Sequence, residues 1–199
     1  MKRVTATGSS SPQIENHNNH TGPAHTGPQT DHKPQPTTHT MTTTTTTLHR
    51  CAELFITGAT AVPTSHELAI WRQWIGDRFS AIPVTVRITP DEVSPEAMHA
   101  HLDATGELLV SAAFADHPHL TVEENVKFRA IHDWEHHVQG HCGFDWAGER
   151  MAAKMAVASA PEPIRWILQC EIGLQAAVTL STGQFPDQRL VRVPVGVLG

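Results

Sequence analysis

The 199-residue chain has no Cys-x-x-Cys pair, no cluster of basic residues and no apolar run of bilayer length. Each absence closes off a class of function. Its three cysteines, Cys51, Cys142 and Cys170, are odd in number and widely spaced, which fits reduced thiols and not a disulfide framework. Without a basic patch, a nucleic-acid backbone is not the expected partner. Without ~20 apolar residues in a row, no membrane-spanning helix is expected. Lys2 and Arg3 are followed by no apolar stretch, so no secretory signal is read there. A cytoplasmic setting is the resulting expectation.

What is present divides in two. Residues 1–47 are mostly Thr, His, Pro, Gly, Asn and Ser, ending in the run Thr42 to Thr47. Such a stretch cannot bury enough apolar surface to offset its ordering entropy and is read as a disordered tail. Its histidines, His17, His20, His25, His32 and His39, could hold metal loosely, but solvated low complexity accounts for them. Met41 precedes the Thr run and is an alternative start of translation. Residues 48–199 carry 11 Lys/Arg against 18 Asp/Glu and contain enough apolar residues for one domain with a core.

The expected fold is α+β and helix-rich, a single domain with a small two-strand element. A short helix is expected over 48–56. Another follows Pro63, where Thr64 and Glu67 have capping-box spacing and Leu68, Trp71, Ile75 and Phe79 recur helically. Pro83 to Ile88 and Leu108 to Phe114 read as strands, with a helix between them opened by Ser94-Pro95 and closed by Gly106. Thr121 and Glu124 form a second capping-box pair, starting a helix over 122–139. Two more helices are expected, over 145–158 and 161–183, the last apolar nearly all round.

The chemistry concentrates in the 122–139 helix, at His132-Asp133-Trp134-Glu135-His136-His137. On a regular helix His132/His136 and Asp133/His137 are stacked i,i+4 pairs on different sides. One metal could then use His132 and His137 together only if the helix distorts. The last helix adds Glu171, its only charged residue after Arg165, with Gln175 one turn on. A buried carboxylate without a partner costs several kcal/mol. Glu171 must therefore be protonated, paired, metal-bound or at an opening, and Glu149 raises the same question.

Zinc accepts imidazole nitrogen and carboxylate oxygen, and catalytic sites leave one position for water. His132 with His136 or His137, and Glu171 or Glu149 as third ligand, would make such a site. Asp133 could be a ligand or the base that takes a proton from metal-bound water, as could Glu149. The run reads H-D-x-x-H-H, with Asp where a zinc protease places its Glu, which counts against a peptidase. The plain alternatives are solvent-facing histidines, a helix-dipole role for His137 and His141, and pairing of Glu171 with Arg129 or Arg165.

From Phe128 onward the spacing is F-R-x-x-H-D, then His137, Phe144, Gly148-Glu149, Glu171-Ile172-Gly173-Leu174-Gln175 and Phe185-Pro186-Asp187-Gln188-Arg189. Over about 128–189 this resembles an uncharacterised family found in bacteriophages and their bacterial hosts. The family pattern has Gly in place of His136, one residue fewer before Gln175 and Lys in place of Arg189. The resemblance implies that Arg129, His132, Asp133, His137, Glu149, Glu171 and Gln188 belong together, and favours His137 over His136. It also implies a host-cytoplasm or virion setting.

Three functions follow as expectations: a metal-dependent, zinc-type hydrolase of unspecified substrate; an HD-type phosphohydrolase; and a non-enzymatic phage accessory or virion protein with a buried polar network. The second rests on the His132-Asp133 doublet and needs an earlier His, His99 or His101, and a later Asp, Asp187.

Overall fold

A computed structural model describes residues 38–194 and 196–198, with side chains from Thr47 onward. The elements run α1 (Thr38–Thr57), α2 (Ser65–Ser80), β1 (Val86–Thr89), α3 (Pro95–Thr105), β2 (Leu108–Ser111) and α4 (Val122–His132). A π-helical turn, Asp133–Val138, continues α4; α5 (Trp146–Ser159) follows. After a 3-10 turn at Glu162–Ile164 come α6 (Arg165–Leu168), a second π-helical turn (Gln169–Leu174) and α7 (Gln175–Thr182). The molecule is thus a helix-rich α+β domain with one small sheet.

The capping residues act as the sequence requires. Thr64 and Thr121 each accept from the backbone N–H three residues on, and Glu67 and Glu124 reach back to the cap N–H. Ser94 caps α3, and Gly106 ends it at φ 74°, a conformation that glycine adopts without strain. β1 and β2 pair in parallel, Val86 opposite Leu108 and Thr89 opposite Ser111, with α3 as the crossover. β2 stops at Ser111, short of the expected Phe114. Phe114 takes φ 54°, and the carbonyls of Ser111, Ala113 and Phe114 all turn to the Arg129 guanidinium.

Two expectations for helices are corrected. Helix α1 begins at Thr38, not 48; of the tail expected over 1–47, residues 1–37 lie outside the described residues. Cys51, Ala52 and Phe55 dock in the core, and extending an anchored helix backward through threonine costs only about 0.7 kcal/mol or less per residue. The 122–139 and 161–183 helices also exist as continuous runs only with i→i+5 turns set into them.

The main core gathers Phe55, Trp71, Ile75, Ile131, Ile167, Leu168 and Leu190. A second cluster, with Met98, Leu108, Val110, Val126 and Ala130, lies between the sheet, α3 and α4. Helix α4 therefore has apolar contacts on two sides, which fixes its rotation. The three cysteines are buried and unpaired; burial and the Glu171 charge push the Cys170 thiol up to about 12. Among the described residues no helix is long and apolar enough to cross a membrane.

Glu67 ties the N-terminus of α2 to α6 and the C-terminal segment. It accepts from Trp166 Nε1 and Arg192 Nη2, both at 2.8 Å, and from the Thr64 N–H at 2.7 Å. Burial opposes ionisation, but these donors, Arg192 foremost, hold the carboxyl at about 2 instead of 4.5. A lowered folded pKa adds stability that is present above 4.5 and lost as pH falls toward 2. Urea denaturation should show Glu67→Gln less stable than wild type by about 2 kcal/mol at neutral pH, with the gap closing between pH 4.5 and 2.

Candidate metal centre

Helix α4 ends in the π-helical turn, and that turn decides which histidines meet. Residues five apart point roughly 140° away from each other on a regular α-helix. An i→i+5 turn brings them toward one face. His132 and His137 accordingly face each other, Nε2 to Nε2 at 2.9 Å, with ring centroids 4.6 Å apart.

The third group comes from the first turn of α5. Asp145 caps that helix by accepting from the Gly148 N–H at 2.8 Å. A Cβ on Gly148 would lie 1.9 Å from the Gly143 carbonyl oxygen, so only glycine lets the preceding turn fold this close. Glu149, next in sequence, is thereby set against the histidines, 3.4 Å from His132 Nε2 and 3.5 Å from His137 Nε2. The three ligand atoms lie within 4.8 Å of one another. Zinc bonds of ~2.0 Å at tetrahedral angles require separations of roughly 3.3 Å. The residues present therefore fit a divalent ion with small adjustments.

The rings are oriented for that role. His137 Nδ1 is 2.9 Å from the Cys142 carbonyl, which only accepts, so Nδ1 carries the proton and Nε2 the lone pair. Phe144 stacks on the same ring at 3.7 Å. His132 Nδ1 contacts His136 Nδ1 at 3.1 Å. Such partners at the far nitrogen fix the tautomer of metal-binding histidines.

The electrostatics agree. Burial and the His132 charge hold His137 at about 4, and burial with the His132 and His137 charges holds His136 at about 3. Both rings are neutral near pH 7. For His132 burial works toward the neutral form, but the Glu149 hydrogen bond and charge prevail and raise its pKa. Burial, reinforced by Glu149, pushes Asp133 up to about 6 against the pull of His132 and Arg129.

The centre opens into a cavity of about 450 Å³. His132, Asp133, Glu149, Arg129, Glu171, Gln175 and Gln188 all line it, and His137 stands behind His132 and Glu149. Arg129 donates to the Ser111, Ala113 and Phe114 carbonyls, tying the end of β2 to α4.

Two expected ligands are not with the triad. His136 lies on another face of the turn, in a recess with Arg78 and Glu135, and touches the centre only through His132. Glu171 is across the cavity, carried by the second π-helical turn. Its Oε1 meets His117 Nε2 at 3.3 Å and its Oε2 accepts from Gln175 Nε2 at 2.9 Å. Gln175 Nε2 also donates to Gln188 Oε1 at 3.0 Å. Neither Arg129 nor Arg165 is the partner of Glu171; the Arg165 Nε–H goes to the Ala160 carbonyl.

His117 is the residue that sequence reasoning missed. Its side chain has no solvent exposure. Its Nδ1 accepts from the His119 and Leu120 N–H groups, both at 3.1 Å, so Nε2 carries the proton and donates to Glu171. The one available signal was the need of a lone carboxylate for a partner. Of the residues an HD-type centre would require, His101 lies 3.7 Å from Glu107, and His99 and Asp187 are exposed. Among the described residues His132, His137 and Glu149 are the only such convergent group.

His117→Ala should cost about 3 kcal/mol in urea denaturation, because Glu171 loses a donor while staying buried. Combining it with Glu171→Gln should recover part of that loss; strictly additive losses would mean the contact carries no energy.

No family model matches the chain, and neither a curated protein nor a solved structure matches it.

Proposed function

We propose that the chain is a metal-dependent hydrolase in which His132, His137 and Glu149 hold one divalent ion, zinc by preference. The observation that carries this reading is the convergence of those three ligand atoms, two of them on residues that line a cavity. Two imidazoles and one carboxylate suit zinc and leave a position for water. A metal there lowers the pKa of its water toward neutrality. Asp133, on the same wall and able to hold a proton near pH 6, is the proposed base. His136 orients His132, and Glu171, Gln175 and Gln188 form the opposite wall.

One observation favours a second reading. The row His117–Glu171–Gln175–Gln188 is a hydrogen-bonded, largely buried network of the kind that also fixes a fold without catalysis. In that reading the chain is a phage accessory or virion protein.

Elemental analysis after zinc loading separates the two. One zinc per chain is expected in wild type, none in His137→Ala or Glu149→Ala, and an undiminished content in Glu171→Gln. His136→Ala should weaken binding about 10–100-fold. Folded variants and wild type alike without metal would defeat the hydrolase reading.

The ion takes the place of the proton between the two Nε2 atoms. Zinc affinity should therefore rise with pH, with proton release seen by titration calorimetry in buffers of different ionisation enthalpy.

A further inference from the structure

The cavity has a composition that limits what it can receive. Phe128, Phe144, Phe185, Met98, Leu109 and Leu180 give it a largely apolar lining. Its volume of about 450 Å³ lies in the range for small organic ligands. Arg129 is the only Lys or Arg among the described lining residues, and three backbone carbonyls already take three of its five N–H donors. The charge of a divalent ion would be balanced by Glu149 and Asp133. Glu171 adds a third carboxylate to the same space, and His117, donating as a neutral ring, does not cancel its charge.

A polar group is also left over. Gln175 is only 4% exposed and lines the cavity. Its amide nitrogen donates to Glu171 and to Gln188, which fixes the flip of the amide. The carbonyl oxygen then has no donor among the described residues. The oxygen is not sealed from solvent, so a ligand that displaces solvent from it loses about 0.5–1.5 kcal/mol unless it donates there. The opposite wall thus presents acceptors, and a ligand that satisfies them must bring N–H groups.

We infer that the cavity takes a small uncharged amide carrying an apolar group, and rejects phosphate esters. The apolar group lies against Phe128, Phe144 and Phe185, and the amide N–H reaches the Gln175 carbonyl. A phosphate dianion would meet the Asp133, Glu149 and Glu171 carboxylates against a single guanidinium, three of whose five N–H donors are already taken. This substrate class rests on the metal-hydrolase reading for turnover, but not for binding.

The test is titration calorimetry on the zinc-loaded full chain with two probes, N-acetyl-phenylalaninamide and phenyl phosphate, alongside assays for their hydrolysis. The amide should bind at least about tenfold more tightly than the phosphate. Phe185→Ala, at a residue 47% exposed, should weaken the amide about five- to tenfold and leave zinc content unchanged. Amide binding without cleavage would uphold the cavity assignment and count against the hydrolase reading. Phenyl phosphate bound more tightly, or cleaved, would overturn the assignment and leave the hydrolase reading standing. Binding of neither probe would also overturn it, as would equal amide affinity in Phe185→Ala.

Discussion

Widening one turn of a helix from i→i+4 to i→i+5 rotates everything beyond it, and the centre depends on that rotation at Asp133–Val138. With regular geometry His132 would share a face with His136, and His137 would turn away. With the wider turn His132 meets His137, and His136 is left to contact His132 from the side. The turn is held at both ends. Upstream, Phe128 and Ile131 lock into the main core while Val126 and Ala130 enter the smaller cluster. Downstream, the Cys142 N–H returns to the His136 carbonyl and the Cys142 carbonyl takes the His137 Nδ1 proton.

A second wide turn does comparable work at Gln169–Leu174. It places Glu171 on the cavity wall in the middle of a segment that is otherwise core. Gly173 in this turn lies where a Cβ would meet Leu198 at 2.6 Å and Ala153 at 3.2 Å, so α5 and the C-terminal segment close in tightly here. Burying Glu171 is tolerable because His117 and Gln175 each satisfy one of its oxygens. The two glutamates of the cavity thus have different fates. Glu149 faces imidazoles whose lone pairs suit a cation, whereas Glu171 is already committed to neutral donors.

Much of the fold was legible because its signals are local. The Thr64/Glu67 and Thr121/Glu124 boxes, Ser94-Pro95 and Gly106 each act within one helical turn. The two short strands were legible for the same reason, although the C-terminal limit of β2 was set by Arg129, fifteen or more residues away. The site was legible only in part. The crowding of His132, Asp133 and His137 was plain, and so was the requirement that the helix distort if the two histidines act together. Which carboxylate joins them was not, because Glu149 and Glu171 differ only in tertiary neighbours. His117 was invisible for the same reason: nothing near it in sequence says that its ring is enclosed against α2 and faces Glu171.

The central claim is structural before it is catalytic: the wide turn makes His132 and His137 ligands of one ion, together with Glu149, and excludes His136. X-ray absorption at the zinc edge of the zinc-loaded protein reads this directly. The account predicts a first shell of two imidazole nitrogens with the remaining ligands oxygen, at ~2.0–2.2 Å. A shell with three imidazoles, with a cysteine sulfur at ~2.3 Å, or with oxygen alone would contradict it.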